Sequence, residues 1–279
     1  MMRKALPFCL MLFFLFANVA FAQGRIFTAW EDRVRSTSAQ QPSWAVPIFT
    51  PSSGLVQLAR ADIIRQYTPT LTTTWNYGGS KGFSLIPWYK TEIDVNPPPY
   101  IQHNTPKAVD GAGDLSFLLK YRVLAANEKQ GGYSISAAVA ATAPTGSYKN
   151  GSVDGTVSPT VYVGKGFRSF DIQTAAAELL PTGHTSTLGR PITWNTAFQD
   201  KVGKLFWPEV EFNSTFYRGG PNNGKEQTFV SPGLMIGKIK FCSDAKNRLG
   251  LYFGAGEQIA LSQYHAYNHA LSFSTRIVF

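Results

Sequence analysis

The last ten residues, Ala270-Leu271-Ser272-Phe273-Ser274-Thr275-Arg276-Ile277-Val278-Phe279, decide the fold. Successive side chains of a strand point to opposite faces. Leu271, Phe273, Thr275, Ile277 and Phe279 therefore share one face, and Ala270, Ser272, Ser274, Arg276 and Val278 share the other. The first face suits lipid; the second, apart from Val278, suits water. A soluble strand turned toward a core would show the same alternation, so repetition has to separate the two. About twelve segments repeat it, each near the roughly ten residues that a tilted membrane strand needs. They centre on 55–67, 69–77, 81–91, 113–126, 131–143, 156–166, 168–180, 191–202, 205–218, 227–240, 248–260 and 268–279. The fourth sets Leu115, Phe117, Leu119, Tyr121 and Val123 against Ser116, Lys120 and Arg122. The ninth sets Phe206, Val210, Phe212 and Phe216 against Glu209, Glu211 and Asn213.

The connections give an independent reading. Outer-membrane barrels have short periplasmic turns and longer outside loops. With both termini periplasmic, the short turns fall at Gly78-Gly79-Ser80, Asn127–Gln130, Lys165-Gly166-Phe167 and Val202-Gly203-Lys204, with a longer fifth at Phe241–Asn247. The long loops are 92–112 with Pro97-Pro98-Pro99, 144–155, 181–190 and 219–226. Only the first outside turn, near Thr68-Pro69, is short. Pro87, Pro159, Pro208 and Pro232 lie within strands, where proline is tolerated at bulges. The expected fold is all-β: a transmembrane, antiparallel, up-and-down β-barrel of about 12 strands.

Composition agrees. Charged residues are 15% of the 279 and aromatics 14%, whereas soluble domains carry about 25% charge. That excludes a disordered chain and a helical bundle. A mean hydropathy of −0.10, with no second long apolar run, excludes a polytopic helical membrane protein.

The chain divides into three parts. Residues 1–22 read as a secretory signal peptide, with Arg3 and Lys4, the apolar run Leu10–Phe16, and Ala20-Phe21-Ala22 ahead of the cut near Ala22. Removing Arg3 and Lys4 lowers the net charge from +9 to +7. It also leaves Cys242 as the lone cysteine, so no intramolecular disulfide forms. Residues 23–54 do not alternate. Trp30, the mixed run Glu31-Asp32-Arg33-Val34-Arg35 and Gln40-Gln41-Pro42 suggest a short helix and a tether. Such a periplasmic leader would enter the barrel as a plug, lie beneath it, or stay loosely ordered. Residues 55–279 form the barrel. No block of five basic residues and no nucleic-acid motif occurs, so nucleic acid is not an expected partner.

The inward faces near the periplasmic end collect Lys120, Arg122, Gln199, Lys201, Glu209, Glu211 and Arg276. A short hairpin should make Lys201 a neighbour of the two glutamates. These lumen-lining residues suit either a constriction that tunes solute selectivity or a structural network of paired charges. Glu257 falls on the lipid face, which calls for a bulge at Gly254 or Gly256 or a place at the outer rim. Trp75, Tyr77, Trp88, Tyr89, Trp194, Trp207, Tyr217, Tyr264 and Tyr267 lie near strand ends, as in interfacial girdles. Runs of small residues, such as Ala137–Ala141 and Ala175–Ala177, leave room inside a barrel or against a plug.

No catalytic residue, metal ligand or cofactor is expected. The histidines are His103, His184, His265 and His269, of which the first three fall on outside loops or rims. Ser262 precedes His265 by three residues and Ser186 follows His184 by two, but no G-x-S-x-G elbow is present. His265 and His269, four apart, would converge only on a helix.

The chain resembles the β-barrels of Gram-negative outer membranes. Phe279, with Ile277 and Phe273 in alternation, is similar to the C-terminal assembly signal read by the barrel-assembly machinery. From about Gly111 to Phe279 it further resembles the MetA-pathway phenol-degradation outer-membrane proteins, often labelled transporters. The stretches that carry this are Gly111-Ala112-Gly113-Asp114-Leu115, Phe212-Asn213-Ser214-Thr215, Ser231-Pro232-Gly233-Leu234 and Leu249-Gly250-Leu251-Tyr252-Phe253-Gly254-Ala255-Gly256. Residues 23–54 lie outside it. The resemblance implies a barrel in outer-membrane lipid that passes small solutes, apolar or aromatic ones included, and it brings no catalytic residues. The alternatives are a structural or adhesive barrel that binds partners through loops 92–112 and 144–155, and a rim hydrolase.

Overall fold

The computed structural model describes residues 27–78, 82–241 and 248–279. The signal peptide and its cleavage site, Gly79 and Ser80 of the first expected turn, and Cys242–Asn247 with the lone cysteine lie outside the described residues.

In chain order the strand segments are β1 (Leu58–Tyr67), β2 (Thr73–Tyr77), β3 (Phe83–Trp88), β4 (Thr91–Asn96), β5 (Tyr100–His103), β6 (Gly111–Ala112), β7 (Leu115–Ala126), β8 (Tyr133–Ala143), β9 (Thr156–Phe167), β10 (Phe170–Glu178), β11 (Leu180–Pro181), β12 (Ile192–Asp200), β13 (Phe206–Phe216), β14 (Glu226–Lys240), β15 (Gly250–Ala260) and β16 (His269–Val278). Every pairing is antiparallel, and β16 returns to β1 with Val278 opposite Leu58 and His269 opposite Tyr67. Closure leaves no free edge. Four wall strands are interrupted, as β2–β3, β4–β5, β6–β7 and β10–β11, so the sixteen segments build a twelve-stranded barrel.

The count agrees with the sequence reading, but the second and third strands are divided differently. The chain does not turn back at Gly78. The Gly78 N–H donates to the Asp62 carbonyl at 2.7 Å and the Arg60 N–H to the Gly82 carbonyl at 2.8 Å. β2 and β3 therefore run down the same side of β1, and the short turn comes at Tyr89-Lys90. Residues 92–112 are correspondingly not an outside loop. β4 and β5 make the third wall strand, with Pro97-Pro98-Pro99 interrupting its ladder, since proline cannot donate to one. Pro87 does sit at a register shift, between Leu85 and Trp88, whereas Pro159, Pro208 and Pro232 stay in register.

Short turns and both ends of the barrel chain share one mouth; the connections 104–110, 144–155, 182–191, 217–225 and 261–268 share the other. By the short-turn rule the first mouth is periplasmic. The polarity is inside out relative to a soluble protein. Phe273 and Ile277 are 57% and 42% exposed, while Arg276 between them is 1% exposed. Such an outer face is stable only against lipid.

Ahead of β1, residues 27–39 form helix α1. Trp30, Val34 and Thr37 recur at helical spacing and turn inward. Val34 packs on Leu55 and Ile86, the Trp30 indole donates to Gln57 at 2.8 Å, and Thr37 donates to the Tyr89 carbonyl at 3.0 Å. The helix lies across the periplasmic mouth, and residues 40–57 then continue into the lumen without joining the sheet.

Candidate functional site

The inward charges do not mainly face one another. They hold the backbone of residues 45–56. Glu209 accepts from the Ile48 N–H at 3.0 Å, and Glu211 accepts from the N–H groups of Phe49, at 2.8 Å, and Thr50. Lys120 donates to the Ser52 and Gly54 carbonyls, each at 2.7 Å. Arg276 donates to the carbonyls of Val46 and Pro47. Arg122 sits lower, donating to the Thr37 carbonyl at 2.7 Å and to Gln41 at 2.9 Å. Gln199 donates to Glu209. Because strands alternate, each of these residues points into the lumen from a different part of the wall, and the leader crosses between them.

Lys201 is placed differently. It is exposed in the turn after β12, with Nζ 5.1 Å from the centre of the Trp207 ring. The strand ends one residue earlier, so Lys201 belongs to the mouth and not to the packed interior, and Gln199 takes the place beside Glu209.

Several participants were not singled out from the sequence. Arg60 donates to the Pro47 and Ile48 carbonyls and pairs with Asp62 at 2.7 Å. Glu92 accepts from the Val56 N–H and pairs with Lys120 at 3.4 Å. Gln173 takes the Ser53 N–H at 3.1 Å and donates to the Ala45 carbonyl at 3.0 Å. Ser134 and Ser136 both donate to the Ser53 carbonyl. Strand parity in the first and seventh segments was enough to find Arg60 and Gln173. Glu92 was hidden because residue 92 was read as loop.

Inward glycines complete the fit. A Cβ on Gly166 would stand 2.9 Å from the Trp44 ring, and one on Gly164 would collide with Ser53 and Trp44. One on Gly233 would stand 2.8 Å, and one on Gly256 3.1 Å, from the Ile48 δ-methyl. Ile48 packs with Ala45, Trp207 and Met235. Trp207 thus faces inward, against the expectation of a girdle residue, because it shares the parity of Glu209. Tyr267 also turns inward, stacked on Phe229 with centroids 4.5 Å apart.

Two cavities flank the leader. One of about 240 Å³ is lined by Trp44, Leu55, Lys238, Arg248, Tyr252 and Arg276. The other, of about 140 Å³, is bordered by Ser52, Arg60, Glu92, Asp94, Lys120 and Tyr162. Above the leader the lumen changes character. Asn213 donates to Asn195 at 3.1 Å and accepts from Ser231 and Gln258, each at 3.1 Å, and Gln258 accepts from Tyr267 at 2.7 Å.

The His103 ring meets Asn150 at 2.7 Å and, more loosely, the Thr74 hydroxyl at 3.4 Å. The Ser262 hydroxyl donates to the Tyr264 carbonyl, and the His265 ring reaches the Ser262 carbonyl and not its hydroxyl. His184 pairs with Asp154 at 2.8 Å and His269 with Glu257 at 2.7 Å. Among the described residues no three His, Cys, Asp or Glu side chains gather as for a metal. Glu257 needs no bulge, since its register with Leu271 is regular; it lies near the loop-end rim.

An outer membrane channel from Pseudomonas putida F1 superposes with a TM-score of 0.52 at 14% identity, covering 87% of this chain and 98% of that one. The NanC porin gives a TM-score of 0.50 at 9% identity, covering 78% and 98%. No curated protein matches the sequence. Residues 53–177 match the family described as MetA-pathway of phenol degradation. That segment contains Gly111–Leu115 but not the three later stretches, whose alternation is common to barrel strands in general, and it reaches back to the end of the leader. The fold is therefore that of outer-membrane channel barrels, and over residues 53–177 the chain matches the MetA-pathway phenol-degradation family.

Proposed function

We propose that the protein is a non-enzymatic channel of the Gram-negative outer membrane that passes small solutes down their gradients, with the leader as its constriction. The observation that carries this is a polar lumen narrowed by a chain segment held through its backbone. The inward charges are spent on that segment, so solutes pass through the flanking gaps or through space opened by its movement. Solutes with an apolar or aromatic body are favoured by the phenol-degradation family and by Trp44, Leu55 and Tyr252 beside the larger gap. Insertion is assigned to the barrel-assembly machinery acting on the strand that ends in Phe273, Ile277 and Phe279, after cleavage near Ala22.

Single-channel recording and liposome swelling with the purified protein test this reading. The expected result is a small conductance that rises when the leader is removed. A barrel that stays sealed to ions and solutes with and without its leader would overturn it.

A further inference from the structure

Across the seam of the barrel, the lipid-facing side carries a row that is not apolar. Glu257, Leu271, Arg65 and Trp75 lie side by side on β15, β16, β1 and β2. The next outward row toward the loops holds Ile259, His269, Tyr67 and Thr73. One row toward the periplasm stand Ala255, Phe273, Ile63 and Tyr77, with no charge among them. The change from apolar to charged within one row marks the outer edge of the hydrocarbon.

Glu257 is matched by His269, whose ring stacks on Tyr67 with centroids 4.3 Å apart. Among the described residues no carboxylate pairs with Arg65. Its guanidinium carbon lies 4.8 Å from the centre of the Tyr67 ring and 5.0 Å from that of Trp75, and its Nε is buried without a hydrogen-bond partner. Trp75 is itself backed by Tyr77, with centroids 5.9 Å apart. Two aromatic rings thus fix a planar cation at the headgroup level and leave its Nε without a partner among the described residues. Buried donors without partners are costly, and the abundant anion at that depth is a lipid phosphate. A guanidinium fork matches phosphate oxygens bidentately, which a lysine would not.

We propose that Arg65, held between Tyr67 and Trp75, binds the phosphate of an outer-leaflet lipid headgroup, with its two Nη groups donating to two of its oxygens. The proposal rests on the loops facing outward but not on conduction. The test is native mass spectrometry of the full barrel in neutral detergent with three probes: bisphosphorylated lipid A, the same lipid stripped of phosphate, and inorganic phosphate alone. Folding of each variant is checked by heat-modifiable migration.

Wild type should retain bisphosphorylated lipid A on the order of tenfold better than the stripped lipid, the worth of one charge-assisted contact. Arg65→Gln should lose that preference, and Arg65→Lys, which keeps the charge but not the fork, should keep only part of it. Equal retention of the two lipids by wild type, or an unchanged preference in folded Arg65→Gln, would overturn the proposal. Displacement of the lipid by equimolar inorganic phosphate would overturn it as well, because the site would then serve the free ion. Lipid retention is read without flux, so its failure and that of the channel reading are distinguishable.

Discussion

The two halves of the lumen solve the same problem in opposite ways. In the periplasmic half, Arg60, Glu92, Lys120, Glu209, Glu211 and Arg276 are almost fully buried, and most of their hydrogen bonds go to main-chain groups of the leader. In the outer half, Asn195, Asn213, Ser231, Gln258 and Tyr267 bond chiefly to one another, with Asn213 alone among them reaching the leader, at the Thr50 hydroxyl, 3.4 Å away. A charge in a narrow lumen needs partners that satisfy it, and an extended main chain offers N–H and C=O groups in alternation. Neutral amides and hydroxyls can satisfy each other and need no inserted chain. The difference teaches that the ionic residues inside this barrel gather where a segment is held, with neutral Gln173, Ser134 and Ser136 beside them, whereas the neutral set of the outer half is satisfied chiefly from within itself.

The largest effect expected from this contrast follows removal of residues 27–56. Conductance in planar bilayers should rise on the order of tenfold, since the filled half of the pore would open; an unchanged conductance would show that the outer half sets the resistance. Next comes Glu211→Ala, which strips acceptors from the N–H groups of both Phe49 and Thr50. It should weaken leader docking by roughly 3 kcal/mol, read as proteolysis of the leader in intact barrels, with Glu211→Gln intermediate. Gly164→Val should cost about 1–3 kcal/mol of the same docking by overpacking against Trp44. Asn213→Ala, in the neutral half, should cost only about 1 kcal/mol of barrel stability and leave the leader protected.

The smallest effect concerns pH at the rim. Partial burial disfavours the charged Glu128 carboxylate, but the Ser43 N–H and hydroxyl, each at 2.7 Å, outweigh this and hold its pKa below the usual value. Because the bound-state pKa is the lower one, the tether contributes fully above the ordinary carboxylate range and is lost as the pH falls through the depressed value. Leader protection should therefore weaken slightly in acid, and Glu128→Gln should remove the part of that dependence that comes from the rim.

The wall was legible because every strand repeats a period of two against a uniform solvent, as Phe273 and Arg276 show within four residues. Its second and third strands were misread where Gly78–Gly82 and Pro97–Pro99 interrupt the pattern: both look like connections, yet hydrogen bonds to β1 on either side of the first keep the wall continuous. Six of the seven singled-out lumen residues lie buried inside, since parity alone places them. What holds them was not legible, because the partner is main chain, which leaves no side-chain signature. Gly164, Gly166, Gly233 and Gly256 carried a trace of it, as inward positions emptied of side chain. Trp207 and Tyr267 were misplaced because an aromatic near a strand end reads alike whether it faces lipid or lumen.

The grips of Arg60 and Arg276 on the leader have a consequence for assembly. Arg60 belongs to the first strand and Arg276 to the last, and both take the Pro47 carbonyl, with Ile48 and Val46 on either side. These two strands form the seam that closes the barrel. The segment that precedes the wall is thus stitched to its first and last strands at the join itself, so that closing the wall and seating that segment draw on the same contacts.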